Sequence, residues 1–575
     1  MEIYIKVNGN KKVEMAFDPK HHDILNVCRS LSIRRWGKKS KTWTSPSTPF
    51  MAAEIYKKCK AQGIKIKSDH KFLGLLKEYQ RINRAQDYKY AQQFPEIPIR
   101  RFDPWTHQAQ AYWFADAMPY AMLAMDMGTG KTKVSVDTLQ NNAFKLMVVV
   151  CPKSVVSVWP KEFKKHCVVP YSIFPLDSGR VDKRSAKIKY AVDNMKRTNR
   201  PLIFVVNYES TRSGAMQEVL LKFEWDFLVI DESHKIKSPS GKDSAFCRKL
   251  ANTSGKVFEL TGTPMPHSPL DIFAQFRAMD IGIFGSSFTE FKKTYAELGF
   301  FNEFKRIKPE MADEMNRVFN LVSYQCQADD VFDDLPDKRH EIVTCTMSAE
   351  GQKIYDAIEE EMYAQLDAGE ITPQNQLVKR LRLLQVASGY VADDDGKIHK
   401  VDDSKEKTLE EYVDNISSDE AIAIFYRFNT DREAIKKMAE NLGRGFCELS
   451  GHADNLAEWQ ESEDGENQII AIQLQAGGVG VDITRARYCF YYNISDTRGD
   501  YLQSLKRIHR PGQKRNVIYY HIVVLGSVET KIYKSFAEKE STTKYIMDNR
   551  GKVQIDVLDM ESKFNAMKTE ESKIS

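Results

Sequence analysis

The sequence lacks any long apolar run, and cysteine is scarce in it. Among its 575 residues the apolar stretches are short, such as 146–151, and fall far below the roughly 20 residues that a membrane-spanning helix needs. The first residues, MEIYIKVNGNKK, contain no apolar core of a secretory signal. No two of the nine cysteines lie within four residues of each other, which excludes zinc-finger spacing and a dense disulfide framework. We therefore expect no membrane association, no secretion and a reducing cytoplasm.

The composition is that of a folded chain with an uneven distribution of charge. Hydrophobic residues make up 42% and aromatic residues 11%, which excludes wholesale disorder, and the length predicts three to four domains at roughly 150 residues each. The overall net charge is +5, but residues 1–100 carry 21 Lys and Arg against 9 Asp and Glu, so the remaining residues sum to −7. A basic front on an acidic body favours contact with nucleic acid, and the alternative is a solvated lysine-rich surface.

After the first hundred residues the chain contains two series of short apolar runs. Within each series, segments of helix length separate one run from the next. The runs span 145–151, 201–207, 225–231 and 256–262 in the first series and 420–428, 467–474, 487–493 and 516–524 in the second. Short continuous apolar runs of this kind are typical of buried parallel strands. The sequence predicts the α/β fold class, with two tandem parallel-sheet lobes preceded by a small basic α+β domain.

The domain boundaries follow from these series and from polar or proline-spaced segments between them. We predict a basic N-terminal domain (1–100), a first α/β lobe (104–285), a helical linker or insert (286–392), a C-terminal α/β lobe (405–560) and a polar tail (561–575).

The segment MDMGTGKTK (125–133) matches the end of a phosphate-binding loop. Glycines let backbone N–H groups approach phosphate oxygens, a lysine reaches the β and γ phosphates, and a threonine hydroxyl binds Mg²⁺. Met125 stands where the full pattern has its first glycine, and a helix is predicted over 133–140. The candidates for nucleotide binding here are Met127, Gly128, Thr129, Gly130, Lys131 and Thr132, with Thr132 also a metal ligand.

Two further segments, DESH (231–234) and LTGTP (260–264), follow apolar runs directly. Ligands of open α/β sheets bind at the carboxyl ends of the strands, so Asp231 is placed to hold Mg²⁺ and Glu232 to polarise an attacking water. The two threonines of LTGTP are hydroxyl donors that would link this acidic site to a second surface.

The second series carries a glycine-rich segment and a basic one. QAGGVGVDIT (475–484) suits close approach of the backbone to phosphate, and Gly480 and Asp482 are its nucleotide-binding candidates. In QSLKRIHRPGQ (503–513), Arg507 and Arg510 are three residues apart and would share one face of a helix as a phosphate clamp.

In order and spacing these segments resemble the SWI/SNF family of double-stranded-DNA translocases in helicase superfamily two. The family patterns are DMGTGKT (126–132), P-x-S-x₄-W (152–159), DE-x-H (231–234), LTGTP (260–264), AGG-x-G (476–480) and Q-x₃-R-x-H-R-x-GQ (503–513), with further matches at Gln108 and LLQVASGYV (383–391). The H-R-x-GQ ending separates this family from most other helicases of the superfamily. The resemblance covers roughly residues 104–540 and implies two RecA-like lobes.

The resemblance also implies roles for individual residues. Gln108 would read adenine, and the loop ending at Thr132 would hold the triphosphate of ATP. Catalytic roles would fall to Lys131, Asp231, Glu232, Arg507 and Arg510, with Arg510 at the arginine-finger position. Lys506 replaces an acidic residue of the family, and Gln473 with Leu474 replaces a Ser-Thr pair that contacts phosphate.

The basic front contains RRWGKKSKTW (34–43), where cationic and aromatic residues interleave. Basic groups bind phosphates and an exposed indole can stack on a base. The DNA-binding candidates are Arg34, Arg35, Trp36, Lys38, Lys39 and Trp43. Residues 24–46 resemble the HARP-type substrate-recognition domain of annealing helicases in the same family, and the alternative is that both tryptophans are core residues of a small domain.

The function that these patterns favour is an ATP- and Mg²⁺-dependent translocase on duplex, forked or branched DNA, acting as a monomeric motor in a bacterial or phage-infected cell near the nucleoid. Remodelling of DNA structures or displacement of bound proteins would serve repair, replication or recombination. Three alternatives remain: an RNA helicase, a strand-separating DNA helicase and an inactive scaffold. The complete set of catalytic residues argues against the scaffold, and the H-R-x-GQ ending argues against RNA.

Overall fold

The computed structural model describes residues 1–9, 11–38, 40–195, 200–299, 304–332, 335–367, 373–393, 395–474, 481–495 and 497–536. They fall into two units, one reaching Val331 and the other beginning at Phe332. The first unit contains the N-terminal domain and the first α/β lobe, and the second contains the second lobe. Within the described residues, no helix is long and apolar enough to cross a membrane.

The N-terminal domain is a five-stranded sheet with three helices on one face. The strands are β1 (Glu2–Val7), β2 (Lys12–Ala16), β3 (Arg35–Gly37), β4 (Thr42–Pro46) and β5 (Lys65–Ser68), in the order β3-β4-β2-β1-β5. The helices are α1 (His22–Ser30), α2 (Pro49–Ala61) and α3 (His70–Arg84), and a short 3₁₀ helix (Ala85–Lys89) follows. Only β1 and β5 pair in parallel.

Strand alternation explains why only one face of this sheet is covered. In β1, Ile3 and Ile5 are buried in the core beneath the helices, while Tyr4 and Lys6 point to the other face and are exposed. Successive side chains of a strand alternate between faces, so a short strand with this pattern is half-buried. The domain therefore keeps one open, polar sheet face.

The first lobe is a seven-stranded, entirely parallel sheet. Its strands are β6 (Tyr120–Met125), β7 (Leu146–Cys151), β8 (Ser172–Leu176), β9 (Leu202–Asn207), β10 (Trp225–Asp231), β11 (Ser254–Thr261) and β14 (Ser323–Cys326), in the order β14-β6-β11-β10-β7-β9-β8. A separate hairpin is formed by β12 (Ala296–Leu298) and β13 (Phe304–Ile307).

Helices cover both faces of this sheet, which is why strands such as β6, β7 and β9 are buried along their whole length. They are α4 (Thr106–Asp116), α5 (Lys131–Asn141), α6 (Val158–His166), α7 (Val181–Asp193), α8 (Gly214–Lys222), α9 (Lys242–Ala251), α10 (Ile272–Met279), α11 (Phe288–Tyr295), α12 (Pro309–Val322) and α13 (Ala328–Val331). Short 3₁₀ helices lie at Lys153–Val155, Ser210–Arg212, Ser233–Ile236 and Pro269–Asp271.

The N-terminal domain is docked on the first lobe through buried polar contacts. The carboxylate of Asp280 accepts hydrogen bonds from the hydroxyl of Tyr120, at 2.6 Å, and from that of Thr48 in the N-terminal domain. Lys89 donates to the main-chain oxygen of Asn320, and its ammonium lies 4.6 Å from the ring centroid of Phe114. Burial lowers the pKa of Lys89 to about 7. These contacts join the two parts into one unit.

The second lobe is a six-stranded parallel sheet. Its strands are β15 (Lys338–Cys345), β18 (Ile422–Tyr426), β19 (Phe446–Leu449), β20 (Ile469–Gln473), β21 (Tyr488–Tyr491) and β22 (Val517–Val524), in the order β15-β22-β21-β18-β20-β19. The small strands β16 (Tyr390–Ala392) and β17 (Ile398–Lys400) pair with each other. The helices are α14 (Ala349–Asp367), α15 (Pro373–Ala387), α16 (Ser404–Asp414), α17 (Asn429–Asn441), α18 (Leu456–Glu461) and α19 (Arg498–Leu505).

The predicted fold class, two parallel-sheet α/β lobes after a small α+β domain, is confirmed. The stretch 286–392, expected to be a helical linker, also contains strands: β14 forms one edge of the first sheet and β15 one edge of the second. Strand β17 and the first residue of α16 lie between that stretch and the predicted C-terminal lobe (405–560). Edge strands pair on one side only, so their sequences are less uniformly apolar than those of central strands.

All nine cysteines are buried and none forms a disulfide. Burial raises the pKa of the thiols of Cys28 and Cys59 to about 12 and about 11. The cysteines are therefore packing residues of the folded chain.

Candidate active site

Three adjacent strands bring three of the sequence motifs to one edge of the first sheet. Strands β6, β11 and β10 are neighbours in the sheet and end at Met125, Thr261 and Asp231. Leu260 of β11 pairs with Leu123 of β6 and with Asp231 of β10, so the three strand ends lie side by side. Gly262 follows β11 so closely beside β6 that a Cβ atom on it would lie 3.3 Å from the main-chain oxygen of Met125. The carboxyl edge of a parallel sheet is where such folds bind ligands.

The loop after β6 has the backbone conformation that its glycines allow. Gly128 has φ of 80° and Gly130 has φ of 97°, and Gly130 is the N-cap of α5. The helix begins at Lys131, which confirms the helix predicted after the loop. The ammonium of Lys131 donates to the main-chain oxygens of Met125 (2.7 Å) and Asp126 (3.0 Å). A loop of glycines at a helix N-terminus presents N–H groups to an anion.

The other loop candidates surround these residues. Thr129 is buried and its hydroxyl donates to the main-chain oxygen of Asp126 at 2.7 Å, so it closes the loop on itself. Met127 and Thr132 are partly buried and Gly128 is exposed. Thr132, the residue predicted to be a metal ligand, lies in the first turn of α5.

Gln108 lies against the loop, in the first turn of α4. Its side chain is buried, donates to the main-chain oxygen of Thr129 at 3.2 Å and accepts from the main-chain N–H of Trp105 at 3.2 Å. The ring of His107 contacts the same Thr129 oxygen at 2.9 Å. The residue predicted to read adenine thus shapes the phosphate loop directly.

Asp231 ends β10, and its oxygens are held by three donors. Oδ2 accepts from the indole N–H of Trp159 at 3.1 Å, and Oδ1 accepts from the main-chain N–H of Glu232 at 3.0 Å. The main-chain oxygen accepts from the hydroxyl of Tyr208 at 2.8 Å. Burial and the neighbouring carboxylate of Glu232 raise the pKa of Asp231, and Lys131 opposes this increase.

Glu232 is held in the left-handed region, with φ of 51° and ψ of 54°, where a residue with a side chain is strained. Its Oε2 lies 3.2 Å from Nδ1 of His234, and the same ring nitrogen lies 3.4 Å from the hydroxyl of Thr261. Thr261 in turn accepts from the main-chain N–H of Thr263 at 3.0 Å. The two threonine positions of LTGTP are therefore connected to the acidic motif through a histidine.

The donor set of this edge fits a nucleotide with a divalent cation. The described residues contain no group of three or more His, Cys, Asp or Glu arranged to hold a metal by themselves. Mg²⁺ is ordinarily bound through one or two protein ligands together with substrate phosphates. One buried carboxylate, a threonine at a helix start and a glycine loop with a lysine are the groups that this arrangement needs.

The two arginines of the second lobe do not share a helix, which corrects the expectation drawn from their spacing. Helix α19 ends at Leu505, and both residues lie in the turns that follow. The side chain of Arg507 is buried, and its main-chain N–H donates to the oxygen of Ser504 at 3.1 Å.

Two other side chains of the segment 503–513 form hydrogen bonds with main-chain oxygens of neighbouring segments. The ring of His509 contacts the main-chain oxygen of Pro336 at 2.7 Å. The side-chain amide of Gln513 donates to the oxygens of Thr484 (3.0 Å) and Ala486 (2.9 Å). In this chain, then, the histidine and glutamine of H-R-x-GQ have structural roles.

Arg510 lies close to the end of the glycine-rich segment. Its guanidinium donates to the oxygen of Val481 at 3.4 Å and lies 3.9 Å from the carboxylate of Asp482. That carboxylate also accepts from the hydroxyl of Thr484 at 2.8 Å. Residues 475–480, including Gly480, lie outside the described part of the chain.

The two tryptophan candidates of the N-terminal domain lie side by side in its sheet but differ in exposure. Trp36 and Trp43 are direct cross-strand partners with ring centroids 5.5 Å apart; Trp36 is 43% exposed, whereas Trp43 packs against the domain core. Arg35 precedes Trp36 in the strand and therefore points to the opposite, open face. One tryptophan is thus exposed, and the alternative that both are core residues holds only for Trp43.

Two of the remaining candidates, Arg34 and Lys38, flank β3. Arg34 and Lys38 are exposed, and the guanidinium of Arg34 donates to the main-chain oxygen of Leu31 at 2.7 Å. Lys39 lies outside the described residues.

Trp159 and Tyr208 are the neighbours of Asp231 to which the sequence assigned no role. The tryptophan belongs to the P-x-S-x₄-W pattern, which was a usable signal, but its hydrogen-bond partner is 72 residues away in the chain. No pattern in the sequence singles out Tyr208.

Comparison with known proteins agrees with these features. The model of the SNF2-related domain matches residues 107–388, and that of the helicase conserved C-terminal domain matches residues 404–512. A Caenorhabditis elegans relative, "SWI/SNF-related matrix-associated actin-dependent regulator of chromatin subfamily A-like protein 1 homolog", is 21% identical over 93% of this chain and 75% of its own length. "DNA repair and recombination protein RAD54B" of Gallus gallus is 21% identical over 74% of this chain, which spans about half (52%) of that relative.

Among solved structures, the chain is similar to "Sulfolobus solfataricus SWI2/SNF2 ATPase core in complex with dsDNA". The identity is 22%, the TM-score is 0.38, and the match covers 80% of this chain and 96% of that one.

Proposed function

We propose that this chain, which belongs to the SNF2-related family of helicase-like, DNA-dependent ATPases, translocates along duplex DNA and thereby remodels DNA structures or displaces bound proteins. The observation that carries the proposal is the convergence of the glycine loop, the acidic motif and LTGTP on three adjacent strand ends of the first sheet. One chain supplies all the proposed ATPase residues, so we expect a monomeric motor. The buried free cysteines fit the cytoplasm of a bacterial or phage-infected cell, where the DNA would be the nucleoid or a phage genome.

In the proposed reaction the loop residues hold the phosphates of ATP. Backbone N–H groups from Gly128 to Thr132 would contact phosphate oxygens, and the ammonium of Lys131 would exchange its two main-chain partners for the β and γ phosphates. Thr132 and Asp231 would hold Mg²⁺, which neutralises charge on the phosphates.

Glu232 would accept the proton of the attacking water. Its carboxylate is already oriented by His234, and its backbone follows β10 directly in the left-handed region. From the second lobe, Arg507 and Arg510 would neutralise the charge that develops on the γ-phosphate, as an arginine finger does. Gly480 and Asp482 belong to the same proposal, and Gln108 remains the proposed adenine reader.

The N-terminal domain would contact the DNA substrate through its basic residues. Arg34, Arg35, Lys38 and Lys39 would contact phosphates, and exposed Trp36 would stack on an unpaired base, with Trp43 supporting it from the core side. Because this domain is docked on the first lobe, such contacts would bring forked or branched DNA to the motor.

The decisive experiment measures the ATPase rate of the full chain with duplex DNA, single-stranded DNA, forked DNA and duplex RNA at one ionic strength. Translocation is measured separately as displacement of a triplex-forming strand. We expect stimulation by duplex or forked DNA and triplex displacement that Lys131→Ala abolishes. Stimulation by RNA alone would establish the RNA helicase instead, and unwinding of a plain duplex would establish the strand-separating helicase.

A further inference from the structure

We propose that Trp159 is a positioning residue of the ATPase site, whose indole N–H fixes the carboxylate of Asp231 in the orientation that binds the metal ion. This inference rests on the proposed function, since it assumes that Asp231 is a metal ligand. It gives a chemical role to the tryptophan of the segment 152–159.

The first step of the argument is the geometry around Asp231. The carboxylate accepts one hydrogen bond on each oxygen, from the indole of Trp159 (3.1 Å) and from the main-chain N–H of Glu232 (3.0 Å). Two donors on two oxygens stop the carboxylate from rotating about its Cβ–Cγ bond. Each carboxylate oxygen can accept about two hydrogen bonds or metal contacts, so each retains one free direction.

The second step is the rigidity of the donor. Trp159 is 1% exposed, lies in the first turn of α6, and packs against Phe163 with ring centroids 6.2 Å apart. Helix α6 follows β7, which is hydrogen-bonded to β10, the strand that ends in Asp231. An indole locked by packing has a fixed N–H direction, which is what a neighbour that orients a metal ligand must supply.

The third step separates this contact from ordinary burial of a tryptophan. Trp225 is as deeply buried as Trp159, and its indole donates to the main-chain oxygen of Leu220 at 2.8 Å. The partly buried Trp113 donates to the main-chain oxygen of Pro95 at 3.0 Å. Trp159 donates to a buried carboxylate at the ligand-binding edge. This bond orients a side chain that can rotate, whereas main-chain oxygens are already fixed by the backbone.

The test uses Trp159→Phe, which keeps a ring and removes the donor, in the full chain. The matched control is Trp225→Phe, because Trp225 is equally buried, lies in the strand of Asp231 and donates away from the site. Asp231→Asn is included as a test of the metal ligand itself. The probe is a fluorescent ADP analogue whose binding is titrated with Mg²⁺ and also measured in excess chelator.

We expect Trp159→Phe to raise the Mg²⁺ concentration at half-maximal effect by about 10- to 100-fold, the usual cost of losing a group that orients a metal ligand. Nucleotide affinity without metal should stay within about twofold of the parent, and the melting temperature should match that of Trp225→Phe.

Two outcomes overturn the inference in different ways. Equal Mg²⁺ midpoints for Trp159→Phe and Trp225→Phe, with a shifted midpoint for Asp231→Asn, would refute the role of Trp159 alone. An unshifted Asp231→Asn would refute the metal assignment in the proposed function. If Trp159→Phe fails to fold, benzothienylalanine at position 159 replaces only the N–H by sulfur, and a parental Mg²⁺ midpoint with that residue refutes the inference.

Discussion

Replacing Gly130 by alanine tests the architecture of the phosphate loop. Gly130 has φ of 97°, and a Cβ atom there would lie 3.0 Å from Cδ of Gln108 and overlap its side-chain nitrogen. The substitution therefore adds backbone strain and displaces a buried glutamine. That glutamine makes two hydrogen bonds, to the main chain of Thr129 and of Trp105.

The magnitude follows from these two effects. A side chain in the left-handed region costs about 1–2 kcal/mol, and each hydrogen bond lost by Gln108 costs about 0.5–1.5 kcal/mol. We expect Gly130→Ala to lower the free energy of unfolding by about 2–5 kcal/mol. Gly63→Ala is the control, because Gly63 also has positive φ (64°) but has open space around it, so only the strain of about 1–2 kcal/mol applies.

The assay is urea unfolding followed by tryptophan fluorescence. Six of the seven tryptophans precede Val331, so this signal reports mainly on the first unit. The slope of the free energy against urea should stay constant between variants, and the midpoint should fall most for Gly130→Ala. A Gly130→Ala protein that is as stable as Gly63→Ala would show that Gln108 does not pack over the loop as described.

Three further changes probe other parts of the chain. Glu232→Gln should bind ATP at parental affinity but turn it over about 10²- to 10⁴-fold more slowly, because the proposed general base is lost. An unchanged steady-state rate contradicts that role. In a fluorescence-anisotropy titration, Trp36→Ala should weaken binding to forked or single-stranded DNA by about 1–3 kcal/mol and leave binding to blunt duplex unchanged. The control Tyr190→Ala, at an exposed tyrosine of the first lobe, should change the affinity for none of these DNAs. Equal effects of the two variants refute stacking by Trp36. In the folded chain the pKa of Lys89 is lowered to about 7. Between this pH and the pKa of a free lysine the unfolded chain binds more protons than the folded chain, so the free energy of unfolding rises with pH. Relative to Lys89→Met, the parent should therefore gain stability between pH 7 and pH 10 in thermal melts. A difference in melting temperature between the two proteins that does not change with pH contradicts the lowered pKa of Lys89.

Most central strands were predictable because both of their faces are covered, although the prediction missed β6 (Tyr120–Met125). Runs such as Leu146–Cys151 and Leu202–Asn207 are apolar at every position, and no other local pattern competes with that interpretation. The edge strands were not, since SIFPL (172–176) contains a proline and SYQC (323–326) is half polar. An edge strand needs hydrogen bonds on one side only, so its sequence carries a weaker signal.

The site was predictable where its residues are contiguous and follow a strand. The glycine loop and the acidic motif are short segments whose position at a strand end is visible in the sequence. The contact of Trp159 with Asp231 was not predictable, because it joins distant segments that only the parallel pairing of β7 and β10 brings together. The spacing of Arg507 and Arg510 was misleading, because it assumed a helix that ends at Leu505.

The burial of every native thiol makes the folded chain a clean substrate for chemical labelling. Maleimide reacts with accessible thiolates, and none of the nine cysteines offers one. A single cysteine introduced at an exposed position, such as that of Tyr56 in the N-terminal domain or Tyr412 in the second lobe, would carry a dye without removal of any native cysteine. A pair of such dyes would let single-molecule energy transfer follow the two units of this motor through an ATP cycle in otherwise unaltered protein.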